Sequence, residues 1–136
     1  MPSILFVCDR NEDLSQIAET LCRKESPPSW LIASAGVEPA PQEYPRAVEV
    51  LRRHGLVVSF NKPMGFQDLP EVEWDFVVFL GEGEMPSLPE GRKVIQWQVP
   101  DPQHAPEQSY DALFKDLEER VTGLLRFIGE LTPAQA

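Results

Sequence analysis

The sequence has few cysteines, few basic side chains and no long apolar stretch. Its two cysteines, Cys8 and Cys22, are too few for a disulfide scaffold and lack the paired spacing of a zinc site. Twelve basic against 22 acidic side chains give a formal net charge of -10, which argues against nucleic acid or an anionic membrane as the main partner. No apolar stretch reaches the roughly 20 residues that span a bilayer, and residues 1–6 lack the pattern of a secretion signal. We therefore expect a cytoplasmic protein with no metal, cofactor, nucleic-acid or membrane partner.

The rest of the composition is that of one compact domain. With 42% hydrophobic side chains, a chain of 136 residues buries a sizeable core and needs no disulfide bonds or structural metal ions for stability. Short apolar runs alternate with segments of helical periodicity, which predicts an α/β fold with a three-layer, doubly wound, four-stranded parallel sheet. The predicted strands cover residues 4–8, 30–34, 75–80 and 94–97, and the predicted helices begin at residue 15 and cover residues 43–54 and 107–131. We assign residues 1–131 to a single domain and residues 132–136 to a frayed tail.

Cys8 is the residue that its position singles out for chemistry. It ends the first predicted strand, and the polar loop of residues 9–14 leads from it into the first helix. Backbone N–H groups of such a loop, together with the helix dipole, bind an anion or stabilise a thiolate. The alternative is a structural cysteine buried at a strand end, which is the commoner role of a free cysteine.

The residues around Cys8 resemble the N-terminal signature of low-molecular-weight protein tyrosine phosphatases and of the related thioredoxin-coupled arsenate reductases. Residues 7–19 carry this signature and read VCDRNEDLSQIAE. Residues 34–39, SAGVEP, resemble the second-strand segment of that family, and residues 99–102, VPDP, resemble its Asp-Pro loop. Because the three segments occur in the family's order and span most of the chain, the resemblance implies the low-molecular-weight phosphatase fold.

The resemblance also implies a role for four side chains. Cys8 matches the thiolate nucleophile, Ser15 the hydroxyl that hydrogen-bonds this thiolate, and Asn11 the residue that holds the loop's conformation. Asp101 matches the general acid that protonates the leaving oxygen, although an aspartate before a proline is also an ordinary turn former. With these roles, the substrate class is a phosphorylated protein or a small phosphomonoester.

The loop departs from the family pattern at the position of its invariant arginine. That position holds Leu14, which lacks the two parallel hydrogen bonds that an arginine gives to phosphoryl oxygens. Glu12 and Asp13 add carboxylates inside the anion-binding loop, and Asp9 adds another beside the nucleophile, which disfavours a bound dianion and raises the pKa of the thiol. Loss of one well-placed donor costs roughly 100- to 1000-fold in rate, and we expect a larger loss here. Arg10 is a candidate substitute cation, but we expect it to face solvent and pair with Glu12 or Asp13.

Two further features of the family pattern are absent. The arsenate reductases need more cysteines in the loop after the central strand, whereas residues 81–89 contain none and Cys22 lies on the predicted core face of the first helix. The phosphatases carry aromatic residues after the Asp-Pro pair, whereas this chain has Gln103 and His104. Four other aromatic side chains either line a cleft or belong to the core: Tyr44, Phe66, Trp97 and Tyr110.

These observations leave three hypotheses about function. The leading one is a phosphatase-like domain with little or no catalysis that acts, if at all, by binding a partner. The second is an active cysteine-dependent phosphomonoester hydrolase with Cys8 as nucleophile, Asp101 as general acid and Arg10 as substitute cation. The third is an interaction module whose acidic loop binds a basic partner.

Overall fold

A computed structural model describes residues 2–41, 45–56, 63–100 and 109–131 of the chain. The elements in chain order are β1 (Ser3–Cys8), α1 (Leu14–Glu25), β2 (Leu31–Gly36), α2 (Pro45–Arg53), a short 3-10 turn (Phe66–Asp68), β3 (Trp74–Leu80), β4 (Gly91–Trp97) and α3 (Ser109–Leu131). Within the described residues, no helix combines the length and the apolar composition needed to span a membrane. Residues 43, 44, 107 and 108 of the predicted helices, and the predicted tail at 132–136, lie outside the described residues.

The four strands form one parallel sheet in the order β2-β1-β3-β4. Every residue of β1 is buried, as expected for a strand that has a neighbour on each side and both faces covered. Cys8, the last residue of β1, is in register with Gly36, the last residue of β2. The predicted four-stranded parallel α/β sheet is therefore confirmed, and the end of β1 lies in the middle of the carboxyl edge of the sheet.

Two hydrophobic cores lie on opposite faces of the sheet. The larger core joins Phe6, Cys8 and Val78 to the buried faces of all three helices, and α1 and α3 pack against each other within it. The smaller core surrounds Leu5 and Val77. In the described part of the chain, this second face is covered by the 3-10 turn and by loop residues rather than by α-helices.

The two largest differences from the sequence prediction have local reasons. β4 begins at Gly91, three residues before the predicted start, because its first part lies at the sheet edge where Arg92 and Lys93 are exposed and no apolar run is needed. The 3-10 turn at Phe66–Asp68 was not predicted, since three residues carry no helical periodicity.

α1 has residues at both of its ends that favour the observed start and end of the helix. Asp13 is its N-cap, and its carboxylate accepts a hydrogen bond from the backbone N–H of Leu14. Arg23 and Lys24 lie in the last turn, where cations interact favourably with the helix dipole. The helix therefore starts immediately after the loop that follows Cys8, one residue before the predicted start.

Gly36 lets this loop lie directly on β2. The carbonyls of Cys8 and Arg10 accept hydrogen bonds from the N–H groups of Val37 and Ala40, just beyond β2. A Cβ at Gly36 would lie 2.7 Å from the carbonyl carbon of Arg10 and 2.8 Å from the backbone nitrogen of Asn11. Only glycine fits this close approach of two backbones.

Substitution of Gly36→Ala should destabilise the fold because the loop must move away from β2. We expect a loss of about 1–3 kcal/mol in the free energy of unfolding, as for other overpacked sites, measured by urea denaturation. Gly123→Ala is the matched control, because Gly123 is an exposed position in α3 where an added Cβ meets no atom within 4 Å. That control should gain up to about 1 kcal/mol from helix propensity. Equal stability of the Gly36→Ala and wild-type proteins would contradict the close approach.

Candidate active site

A cavity of about 370 Å³ opens at the carboxyl ends of β1 and β3. This edge is where ligands bind in open parallel sheets. Its walls come from the loop after β1, from the segment after β3 and from Val99 beyond β4: Cys8, Asp9, Arg10, Glu12, Asp13, Leu14, Leu80, Gly81, Glu82 and Val99. All of the predicted loop residues except Asn11 therefore line one cavity with Cys8.

A buried hydrogen-bond network holds Cys8 and the loop in place. The Cys8 Sγ lies 2.9 Å from the Ser15 Oγ, which also accepts a 2.7 Å hydrogen bond from the Asn11 Nδ2. The same amide nitrogen donates to the Ser34 Oγ at 2.9 Å, and the Asn11 Oδ1 accepts from the backbone N–H of Met64 at 2.8 Å. The structure therefore brings together three predicted site residues, Cys8, Asn11 and Ser15.

Asn11 also determines the backbone path of the loop. Its φ of 54° lies in the left-handed region, which asparagine tolerates better than most residues. Its carbonyl accepts a hydrogen bond from the side-chain amide of Gln16. With this path, the backbone N–H groups of Asn11 and Ser15 lie near enough to the Cys8 sulfur to lower the pKa of the thiol. Backbone N–H groups arranged in this way favour a negative charge at the sulfur.

The surroundings of Cys8 nevertheless favour the neutral thiol. Burial raises the pKa of Cys8 to about 11, and the nearby charge of Asp13 also raises it. The hydrogen bonds from Ser15 and Asn11 lower this pKa but do not offset the burial. The sequence predicted the direction of the shift from the loop carboxylates, whereas burial is the larger cause.

Asp13 occupies the N-terminus of α1. It is only 4% exposed, its Oδ1 accepts a 2.6 Å hydrogen bond from the N–H of Leu14, and its Oδ2 accepts a 3.3 Å hydrogen bond from the Tyr110 hydroxyl. Leu14, the first residue of α1, is 4% exposed and belongs to the larger core. A carboxylate therefore lies where the helix dipole favours negative charge, and an aliphatic side chain follows it.

The one cation among the described lining residues is already engaged. The Arg10 guanidinium is about half exposed and lies 3.5 Å from the Glu12 carboxylate, in agreement with the pairing expected from the sequence. Four carboxylates share the cavity walls with it, since Asp9, Asp13 and Glu82 line the cavity as well. The described walls of the cavity therefore carry four carboxylates and one paired cation, a balance that disfavours a bound anion.

Several other candidates from the sequence lie away from the cavity or outside the described residues. Asp101, Gln103, His104 and Tyr44 belong to the second group. Trp97 packs against Phe6 in the larger core, and Phe66 packs on the opposite face of the sheet. Among the described lining residues there is no aromatic ring that would form a slot for a phenyl group.

Sequence reasoning missed two partners of the loop and placed Cys22 correctly. Ser34 was noted only as part of the SAGVEP segment, although its hydroxyl links Asn11 to the Glu19 carboxylate. The contact of Tyr110 with Asp13 joins residues 97 positions apart and has no local sequence signal. Cys22 is buried in the core, where burial raises its pKa to about 12.

Comparisons with known proteins agree with the fold. The family model of the low molecular weight phosphotyrosine protein phosphatases matches residues 3–133. An arsenate reductase from Archaeoglobus fulgidus is 30% identical, with a TM-score of 0.80 and coverage of 89% of this chain and 97% of that one.

Two further relatives are similar over nearly their whole length. A glutaredoxin arsenate reductase from Synechocystis is 23% identical over 128 residues, which cover 92% of this chain and 97% of that protein. A tyrosine phosphatase from Escherichia coli K30, solved with sulphate, is 23% identical with a TM-score of 0.74 and coverage of 93% of this chain and 98% of that one.

The raised pKa of Cys8 predicts slow alkylation at neutral pH. Because its pKa lies near 11 rather than 9.0, the thiolate fraction at pH 7.5 should be about 100-fold below that of an unperturbed cysteine, and the iodoacetamide rate should rise with pH up to about 11. Ser15→Ala should slow the reaction further, since it removes a hydrogen bond that stabilises the thiolate. Cys8→Ser gives the background from Cys22. A rate at pH 7.5 equal to that of free cysteine would contradict this reading.

Proposed function

The chain belongs to the low-molecular-weight phosphotyrosine protein phosphatase family, and on that basis we propose that it is a member with little or no phosphatase activity. In this proposal the cavity at Cys8 binds a ligand or partner without turning over a phosphoester. The observation that carries the proposal is Leu14, an aliphatic side chain buried in the core at the position of the phosphate-binding arginine.

The missing guanidinium removes the main electrostatic contribution to catalysis. Charge spreads over the phosphoryl oxygens in the transition state, and a fixed bidentate arginine stabilises that charge in a site shielded from water. Leu14 offers no donor, and Arg10 is half exposed and paired with Glu12. A single lost donor of this kind lowers the rate by roughly 100- to 1000-fold.

The loop carboxylates oppose the substrate as well as the nucleophile. A phosphoester dianion at the N-terminus of α1 would meet the Asp13 carboxylate, which already accepts the N–H of Leu14. The pKa of Cys8 near 11 leaves little thiolate to attack phosphorus at neutral pH. Binding, nucleophile ionisation and charge stabilisation are therefore all weakened by residues of one loop.

An active hydrolase is the alternative that the retained network favours. The hydrogen bonds among Cys8, Ser15 and Asn11 are those that such a nucleophile needs. Asp101 would then act as general acid on a phosphotyrosine or another phosphomonoester.

Arsenate reduction would also lack the arginine that binds the oxyanion, because arsenate is tetrahedral like phosphate and Leu14 offers no donor. Cys22 is buried in the core, away from a role as second cysteine. The acidic interaction module is a third candidate, supported by the four carboxylates of the cavity walls.

Steady-state hydrolysis of an aryl phosphate between pH 5 and 8 tests the proposal. The wild-type protein and Cys8→Ser should be indistinguishable, because neither the cation nor the thiolate is available. Wild-type turnover above that blank would overturn the proposal and favour the hydrolase, in which case Arg10→Ala should abolish it.

A gain-of-function variant tests the physical reason for the loss. Leu14→Arg combined with Glu12→Gln and Asp13→Ser should give measurable Cys8-dependent hydrolysis, since the changes restore the guanidinium and remove two opposing charges. The same triple variant carrying Cys8→Ser is the control. A triple variant that folds and remains as inactive as this control would show that Leu14 and the acids are not the cause.

A further inference from the structure

The Asp13 carboxylate connects two elements that are far apart in the sequence. One oxygen accepts the N–H of Leu14 at the start of α1, and the other accepts the Tyr110 hydroxyl from the start of α3. Both Asp13 and Tyr110 are buried, at 4% and 2% exposure. Neither oxygen is therefore directed freely into solvent.

This carboxylate presents the same chemistry as a bound oxyanion. It is negatively charged, it accepts a 2.6 Å hydrogen bond from a backbone N–H at a helix N-terminus, and it lies close enough to Cys8 to raise the pKa of the thiol. The N–H groups of Asn11 and Ser15, by contrast, lower the pKa of the Cys8 thiol. Asp13, a side chain of the loop itself, lies at the positive N-terminus of α1.

The first turn of α3, which contains Tyr110, also contacts the end of α2. Its neighbour Asp111 pairs with Arg53 at 3.2 Å and with His54 at 3.5 Å, both at the end of α2. The His54 ring stacks on Phe114, with ring centroids 3.8 Å apart. These contacts position the first turn of α3 against α2, and the Tyr110 hydroxyl donates to Asp13 from this turn.

We propose that the Asp13 carboxylate is a built-in occupant of the loop's anion position and that Tyr110 is the positioning residue that keeps it there. The inference rests on the proposed function, because it explains why the loop does not take up a phosphoryl group. It adds that the loop itself is competent to bind a tetrahedral oxyanion once this side chain is removed, even with Leu14 in place.

Phosphate titration of Asp13→Ser tests the occupant. Serine keeps an N-cap acceptor while removing the charge and the reach of the carboxylate. The NMR shift of the Leu14 amide is followed as inorganic phosphate is added, and in Asp13→Ser it should saturate. The phosphate affinity of this variant should be at least roughly tenfold above that of the wild type, because the Asp13 carboxylate repels the phosphate in the wild type. Glu82→Gln is the matched control, since it removes one exposed carboxylate from the same cavity. Equal phosphate affinities of Asp13→Ser and Glu82→Gln would overturn the inference.

Tyr110→Phe tests the positioning role with a readout that general packing does not move. The pH midpoint of Cys8 alkylation should fall in Asp13→Ser by about one unit, which is a tenfold change in thiolate fraction. It should fall by less in Tyr110→Phe. In the double variant, Tyr110→Phe should add nothing, because its effect passes through Asp13. An equal effect of Tyr110→Phe with and without Asp13 would overturn the role assigned to Tyr110.

The outcomes separate this inference from the proposed function. Wild-type hydrolysis above the Cys8→Ser blank defeats the proposed function. An inactive wild type together with equal phosphate binding by Asp13→Ser and Glu82→Gln defeats only the inference. Phosphate binding gained in Asp13→Ser, with the altered alkylation midpoint, supports both.

Discussion

Asn11 turns the chain between β1 and α1 through a left-handed backbone, and its side-chain amide ties this turn to Ser34 of β2 and to the N–H of Met64. The positions of the other loop residues in the cavity depend on these hydrogen bonds of Asn11. They place the N–H groups of the loop near the Cys8 sulfur and place Asp13 at the N-cap of α1. Gly36 makes the same arrangement possible from the side of β2, because a larger residue would push the loop away. The shape of the site is thus set by two residues that do not carry its charge.

The cavity combines a loop held by hydrogen bonds with side chains that disfavour an anion. The residues that the loop positions are a thiol with a raised pKa, a buried carboxylate and an aliphatic side chain. The path of the loop depends on backbone and amide contacts, whereas its electrostatics follow from a few side chains. Family membership therefore describes the fold, and the chemistry has to be argued from the side chains of the site.

Much of the fold and part of the site followed from the sequence. β1 and β3 were predictable because strands buried on both faces are nearly continuous apolar runs. The start of β4 was not, since an exposed edge strand shows no such run. Within the site, Cys8, Asn11 and Ser15 lie close together in the sequence, and the resemblance to the family signature predicted that they act together. The contact of Tyr110 with Asp13 joins residues 97 positions apart, and no sequence pattern predicts such a contact. The sequence also did not predict that burial is the largest cause of the raised pKa of Cys8, because burial depends on how the whole core packs.

The buried, neutral thiol at the end of β1 has a further consequence, for redox chemistry. Peroxide and other oxidants attack thiolates much faster than thiols, so that the cysteines most prone to oxidation are exposed and have a low pKa. Cys8 is 2% exposed and has its pKa raised, and the other cysteine of the chain, Cys22, is shut inside the core. The burial and the raised pKa that disfavour the Cys8 thiolate therefore also slow oxidation of its sulfur, compared with an exposed cysteine of low pKa.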